Sequence, residues 1–267
     1  MGKKRKKGEQ RQGVCVYCGS DGLITVEHVF PKTIFLVLDK EMITVPACGS
    51  CNQIKSLGDG DLRNFIIMDV FGGEHPDAPA MLEKLLRKSN VRLRNWLQRQ
   101  LVEAEDVELV TEGGIIVGNL SRIEFNGDRI NVAQEMTVRG LYYHEFGVAL
   151  PVDCPVDVQH VPWNAAPALV SGLDKAAPAG IRTKGNTTVW WKHNAIEGGE
   201  PTDTVWQICY NNGVVFLIST GRAAEMVRVR REAMEAKRNQ EGHTSRTRIQ
   251  QIVVPPGLDG RPIIPRQ

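Results

Sequence analysis

The sequence predicts a mixed α+β fold with a zinc-stapled unit near its N-terminal end, and three observations lead to that prediction. Two Cys-x-x-Cys pairs, Cys15 with Cys18 and Cys48 with Cys51, lie in the first 51 residues. Leucines at helical spacing occupy residues 79–106. From residue 107 onward, short apolar runs alternate with turn residues, which is typical of an α+β domain.

The cysteine pairs predict a structural Zn²⁺. Each two-residue spacer lets one tight turn direct both sulfurs at one ion, so four thiolates in two pairs suit tetrahedral zinc. The chain starts MGKKRKKGEQ with no apolar stretch after the positive charges, and no run has the length to cross a bilayer. We therefore expect a soluble, cytoplasmic protein that does not associate with a membrane. Thiols stay reduced in that compartment, which favours a zinc site over disulfides.

The 29 residues between the two pairs carry further chemistry. They contain Glu27 and His28 in the run EHVFPK, and Asn52 directly follows the last cysteine. The apolar run before Glu27 predicts a strand that leads into His28. Adjacent strand residues point to opposite faces, so Glu27 and His28 share a site only if the strand ends or bends there. Phe30-Pro31 gives the strand a reason to end.

The chain resembles the HNH endonuclease family in three features together: the two Cys-x-x-Cys pairs, each called a knuckle here, the run EHVFP and the run CNQIK. In that family a zinc-stapled ββα-metal module presents a histidine base and a divalent cation to a phosphodiester. The resemblance covers residues 15–57. It implies that His28 is the general base and that Glu27 and Asn52 hold a catalytic Mg²⁺ or Mn²⁺. DNA is the expected substrate. The alternative role of Asn52 is to cap a helix.

The chain departs from the family pattern at the middle asparagine, which lies a few residues before the third cysteine and helps to fix the histidine. Here that stretch, residues 43–47, has no asparagine. Thr44 is the candidate substitute, and a backbone carbonyl that orients the ring is the alternative. Two other functions stay open: a non-catalytic zinc module that binds nucleic acid, and a protein-interaction scaffold in which zinc only stabilises the fold.

Basic side chains are the candidates for phosphate contacts. Residues 1–11 contain six Lys or Arg and one Glu, and residues 222–248 contain eight Lys or Arg and four acidic residues. Between them, residues 12–221 contain 17 basic and 25 acidic side chains. A basic arm is attracted to a polyanion, although it can also be a solubilising tail. The helix predicted over residues 79–106 has a basic face that either follows DNA or is simply solvated. The residues assigned to nucleic acid are Lys32, Lys55, Lys84, Arg87 and Lys88.

The predicted organisation has five parts. A disordered basic arm covers residues 1–12, the HNH module 13–78, the amphipathic basic helix 79–106, an α+β domain of unassigned role 107–221, and a basic helix with a flexible tail 222–267. The module is predicted to contain a short helix from Asp59 to Val70. Protein partners and the oligomeric state are not assigned.

Several elements of the second half follow from turn and capping patterns. Asn126-Gly127 suits a tight hairpin turn. Asn131 with Gln134 resembles an N-cap and capping box at the start of a helix. Strands are predicted over residues 188–191, 205–210 and 214–219, and a basic helix over residues 222–240.

Overall fold

The computed structural model of the chain describes residues 11–36, 42–69, 80, 83, 87, 91–103, 105–110, 116–161, 182–184, 189–211, 213–240 and 249–253. Within them the fold is α+β, as predicted, with four α-helices and three antiparallel sheets. None of these helices combines the length and the apolar character that a bilayer crossing needs.

The N-terminal sheet holds three strands in the order β1 (Arg11–Val14), β2 (Asp21–His28) and β3 (Thr44–Cys48). The strand predicted to lead into His28 is thus confirmed, and it ends at that residue. In the β2–β3 ladder Ile24 lies opposite Cys48, and His28 lies opposite Thr44. Helix α1 (Gly49–Asp69) follows β3 without a loop. This unit is therefore a hairpin and a helix joined at the second cysteine pair.

Helix α1 begins ten residues before the predicted start at Asp59, so the predicted boundary was wrong. Gly58 and Gly60 weaken an isolated helix by about 1 kcal/mol each. Packing explains the first of them, because a Cβ on Gly58 would lie 2.5 Å from the Arg129 carbonyl oxygen. A glycine lets α1 approach the helix that carries Arg129, and the apolar contacts formed along it offset the backbone cost.

The helix predicted over residues 79–106 is only partly observed. Helix α2 (Val91–Glu103) lies in its second half, residues 80 and 83 are also helical, and residue 87 is in a bend. Strand β4 (Glu105–Val110) follows and pairs antiparallel with β5 (Ile116–Phe125). Trp96 of the predicted apolar stripe packs on Phe125, with ring centroids 5.7 Å apart. The tail was predicted to be flexible, but β11 (Ile249–Val253) pairs with β5 as a third strand.

Helix α3 (Gly127–Phe146) corrects two turn predictions. Asn126 does not start a hairpin; it is the N-cap, and its side chain accepts a hydrogen bond from the Arg129 backbone N–H. Asn131 lies inside the helix. Gln134 does not cap, because it is fully buried and donates to the Tyr210 hydroxyl at 3.0 Å. A hydrogen bond across the core decided the role of Gln134, and local sequence could not reveal it.

The largest sheet is formed by β6 (Val156–Val161), β7 (Arg182–Lys184), β8 (Val189–Ala195), β9 (Thr204–Tyr210) and β10 (Val214–Thr220). These strands are antiparallel, in the order β6, β10, β9, β8, β7. The strands β9 and β10 confirm those predicted over residues 205–210 and 214–219, and β8 overlaps the strand predicted over residues 188–191. Helix α4 (Arg222–Gln240) has the bounds predicted for the basic helix.

One hydrophobic cluster contains buried residues from the N-terminal unit and from the five-stranded sheet. Phe30, which follows the EH pair, packs its ring 5.3 Å from that of Trp191 and 6.3 Å from that of Tyr210. Phe65 of α1 contacts the rings of Phe125 and His160 at 5.1 and 4.9 Å. The segment that carries the candidate site is therefore packed onto the second half of the chain. The division into domains stays a prediction.

Candidate metal centre and active site

The four cysteines of the two pairs converge, as their spacing predicts. The Sγ atoms of Cys15, Cys18, Cys48 and Cys51 all lie within 4.8 Å of one another, and Cys18 and Cys48 are 3.8 Å apart. Tetrahedral zinc with Zn–S bonds of about 2.3 Å sets its sulfurs about 3.8 Å apart. The cluster therefore fits a four-thiolate structural Zn²⁺.

Backbone hydrogen bonds hold the first knuckle in shape. The Cys15 N–H donates to the Ser20 carbonyl at 3.0 Å, and the Gly19 N–H donates to the Cys15 carbonyl at 2.9 Å. Gly19 has a φ of 68°, in the left-handed region that glycine adopts easily. The Ser20 hydroxyl, 3.3 Å from the Cys18 sulfur, is the main cause that lowers the pKa of Cys18 to about 6. Cys18 therefore favours the thiolate that a metal needs, whereas burial raises the pKa of Cys51.

Glu27 and Asn52 lie on the face of β2 that α1 covers. The Asn52 amide nitrogen donates to the Thr25 hydroxyl at 3.3 Å, and Thr25 shares its strand face with Glu27 two residues later. Asn52 is the fourth residue of α1, so it is not the helix N-cap that the alternative reading required. Burial is the main cause that raises the pKa of Glu27, while the charge of Lys55 lowers it.

His28 ends β2 and is half-buried. It lies directly opposite Thr44, which sets the two Cβ atoms about 4.5–5.5 Å apart on one face. Thr44 is thus beside the histidine, as its predicted role requires. Burial first, and then the charges of Lys32 and Lys55, lower the pKa of His28. Lys32 and Lys55 also act on Glu27, so the two adjacent residues lie in the electrostatic reach of the same cations.

Lys55 does not fit the phosphate contact predicted for it. Its side chain is 0% exposed, and its Nζ lies 2.9 and 2.7 Å from the two carboxylate oxygens of Asp59. The Glu27 Oε1 atom lies 3.9 Å from the same Nζ. A buried ammonium needs such partners, because an unpaired charge in the interior is costly. The three side chains form one cluster around the buried ammonium, called here the Lys55 cluster.

Sequence reasoning missed Asp59 and Tyr17. Asp59 lies one helical turn after Lys55, a spacing that could have indicated the pair if α1 had been predicted to begin at Gly49. Tyr17, inside the first knuckle, is 6% exposed, and its hydroxyl makes no hydrogen bond within the described part of the chain. Burial raises its pKa, and the charges of Glu27 and Asp59 raise it further.

The other predicted phosphate contacts differ in position. Lys32 is exposed in the 3-10 turn Lys32–Ile34, directly after the EHVFP run. Arg87 is exposed and pairs with Glu83 at 3.6 Å. Lys84 and Lys88 lie outside the described residues, as does the arm up to residue 10. Lys32 is therefore the predicted phosphate contact that the described geometry brings beside His28 and Glu27.

Val29, the residue after His28, is held by both the N-terminal hairpin and the second half of the chain. The Val29 N–H donates to the Ile43 carbonyl at 3.0 Å, and the Thr137 hydroxyl donates to the Val29 carbonyl at 3.3 Å. A Cβ on Gly140 would come within 2.8 Å of the Val29 side chain, so α3 passes very close to this point. The end of β2 is thus held between its own hairpin and α3.

Comparison of the chain with models of protein families, with curated proteins and with solved structures gives no match. Function is therefore inferred from the residues of the site.

Proposed function

We propose that this protein is a metal-dependent HNH endonuclease that hydrolyses phosphodiester bonds in DNA, with a structural Zn²⁺ on its four cysteines. The observation that carries the proposal is the placement of three polar residues in one hairpin–helix unit. Glu27 and His28 end β2, while Asn52 in the first turn of α1 is hydrogen-bonded to the Glu27 face of that strand. This arrangement beside four converging sulfurs supports the resemblance to the HNH family.

The donor chemistry of the site fits a catalytic divalent cation. Glu27 offers a carboxylate and Asn52 an amide oxygen, which are ligands that Mg²⁺ and Mn²⁺ accept. When bound, either cation supplies charge neutralisation at the phosphoryl and leaving oxygens. His28 then accepts the proton of the attacking water at its unprotonated ring nitrogen. Thr44, opposite His28, restricts the ring in place of the missing asparagine.

Basic side chains supply the attraction to the phosphate backbone. Lys32 is exposed beside Glu27 and His28, so it is the proposed contact nearest to the scissile phosphate. Arg87 is exposed farther along the chain. With Lys84 and Lys88 and the basic arm, it would add contacts that position DNA without reading its sequence.

A second candidate function is a zinc-stabilised module that binds nucleic acid or a protein without cleavage. Two observations favour it. The middle asparagine of the HNH pattern is absent, and one oxygen of Glu27 already lies 3.9 Å from the ammonium of Lys55. A carboxylate paired in this way is a weaker metal ligand unless a second oxygen remains available.

Plasmid cleavage with Mg²⁺ or Mn²⁺ titration separates the two functions. We expect His28→Ala to lower metal-dependent cleavage by about 10²–10⁴-fold, because general-base catalysis contributes that much. Zinc content and DNA affinity should stay near those of the wild type. Glu27→Ala and Asn52→Ala should also raise the cation concentration needed for half-maximal cleavage, since each removes a ligand.

The matched control is His144→Ala, because His144 is an exposed histidine of α3 outside the site. It should cleave as the wild type does. Equal cleavage by His28→Ala in the same preparations, or no cleavage of DNA or RNA with any metal, would reject the nuclease in favour of the binding module.

A further inference from the structure

The Lys55 cluster contains one buried cation and two carboxylates, and the two carboxylates are not equivalent. Asp59 holds the Lys55 Nζ with both oxygens, at 2.7 and 2.9 Å. Glu27 reaches it with one oxygen, Oε1, at 3.9 Å, which is beyond hydrogen-bond distance. Asp59 therefore holds the Lys55 ammonium in place by hydrogen bonds, and it holds it close to Glu27.

The charge of the cluster indicates that it is more than a structural ion pair. Asp59 alone already pairs with the buried ammonium of Lys55 through both of its oxygens, so Glu27 is not needed to neutralise that charge. Here a second carboxylate lies in the same desolvated cluster. The exposed Lys32 is its next cationic neighbour. The cluster thus keeps a carboxylate at the end of β2 that a further cation can share.

We infer that Lys55, held by Asp59, is a positioning residue that orients the Glu27 carboxylate toward the catalytic cation. The inference deepens the proposed function and rests on it. Lys55 lies 3.9 Å from Oε1 of Glu27, and the inference assigns the other carboxylate oxygen to the metal, beside Asn52, which is hydrogen-bonded to Thr25 of the same strand. Groups that orient a metal ligand from behind typically change metal affinity or activity by about 10–100-fold when removed.

Two substitutions separate orientation from simple charge repulsion. Lys55→Met keeps a long unbranched side chain and removes the ammonium. Asp59→Asn keeps the shape of Asp59 and frees the ammonium to pair with Glu27 alone. If Lys55 orients Glu27, both variants bind the catalytic cation more weakly, by about 10–100-fold. If Lys55 acts only as a positive charge that repels the cation, Lys55→Met binds it more tightly.

The test is Mn²⁺ binding to the full-length, zinc-loaded protein, followed by the electron paramagnetic resonance signal of free Mn²⁺. The set is wild type, Glu27→Gln, Lys55→Met and Asp59→Asn. Ile66→Val is the matched control, because Ile66 is a fully buried residue of the same helix with no charge. It should leave Mn²⁺ affinity unchanged. Zinc content and thermal unfolding show which variants are folded, and if Lys55→Met does not fold, Lys55→Gln, which also removes the ammonium, takes its place.

The outcomes distinguish this inference from the proposed function. Weaker Mn²⁺ binding in Lys55→Met and Asp59→Asn, with Ile66→Val unchanged, supports the positioning role. Binding that depends on Glu27 but is the same or tighter in Lys55→Met, or unchanged in Asp59→Asn, overturns that role and leaves the nuclease proposal in place. Absence of Mn²⁺ binding in the wild type, or binding that Glu27→Gln does not alter, overturns both.

Discussion

The N-terminal hairpin–helix unit and the five-stranded sheet differ in how much of their structure can be recognised in the sequence. In the unit, residues 11–69, short motifs of fixed spacing bring four thiols and several polar groups together. In the sheet, the buried groups are large and aromatic, among them Trp191, Trp206, Tyr210 and Phe216. Chemistry that depends on spacing can be recognised in a sequence. Packing that depends on tertiary contact cannot, even when it supports the same site.

The two regions meet at the residues that follow His28. Phe30 inserts between aromatic residues of the sheet, and the Val29 carbonyl accepts a hydrogen bond from Thr137 of α3. The second half, to which no role could be assigned from sequence, therefore holds the end of the strand that carries the candidate base. Substitutions in each region, and at the contacts between them, test this connection.

The largest expected effect is loss of the metal cluster. Cys48→Ser should reduce zinc from one per chain to near zero and unfold the hairpin–helix unit, because structural zinc contributes about 10–16 kcal/mol in isolated zinc-finger peptides. Cys209→Ser is the matched control, since Cys209 is buried in the sheet and lies outside the cluster. Elemental analysis with thermal unfolding measures both. Full zinc occupancy in Cys48→Ser would contradict the assignment.

A smaller effect is expected where α1 crosses α3. Gly58→Ala would place a Cβ 2.5 Å from the Arg129 carbonyl oxygen and 2.9 Å from the Ala133 Cβ, so we expect destabilisation of about 1–3 kcal/mol. Gly60→Ala, two residues later, meets nothing within 4 Å and should stabilise by about 0.4–1 kcal/mol. Denaturant unfolding of the pair measures the difference. Equal free energies of unfolding would mean that the close approach of the helices is not required.

These glycines show why helix boundaries were harder to predict than chemistry. The convergence of the four cysteines, the strand into His28 and the bounds of α4 followed from spacing and periodicity, which are local properties. The start of α1 could not be predicted in this way, because Gly58 and Gly60 suggested a break in the helix and the packing that stabilises it involves residues distant in sequence. The burial of Lys55 could not be predicted either, because Glu27 is distant in sequence and Asp59 becomes its neighbour only once α1 is known to be helical. The capping pattern at Asn131 was misleading for the same reason, since Gln134 is taken by Tyr210.

A third prediction concerns pH and the contact between His160 of the sheet and Phe65 of α1. Burial lowers the pKa of His160 to about 4 from the usual 6.5, so the folded protein keeps the ring neutral while the unfolded chain protonates it. This contribution to stability is present above pH 6.5 and is lost as the pH falls toward 4. Between pH 7 and pH 5 it amounts to about 1–2 kcal/mol.

His160→Leu removes the titration, so its free energy of unfolding should fall less over that interval than the wild type's. Both proteins are measured with saturating zinc, because protonation of the thiols is then common to both and cancels in the difference. Identical pH dependence would show that His160 is protonated equally in the folded and unfolded states.

The smallest expected effect separates the observed helix cap from the one that the sequence suggested. Asn126→Ala removes the side chain that accepts from the Arg129 N–H at 3.1 Å, which should cost about 1 kcal/mol. Asn131→Ala changes a position inside α3, where alanine is the better helix former, so stability should stay the same or rise by a few tenths of a kcal/mol. Both are half-buried or exposed asparagines on the same helix end, so urea unfolding compares them directly. A larger loss of stability for Asn131→Ala would support the capping box predicted from the sequence and contradict the start of α3 at Gly127. The expected order would mean that Asn126-Gly127 begins a helix, although the local sequence predicts a hairpin turn there.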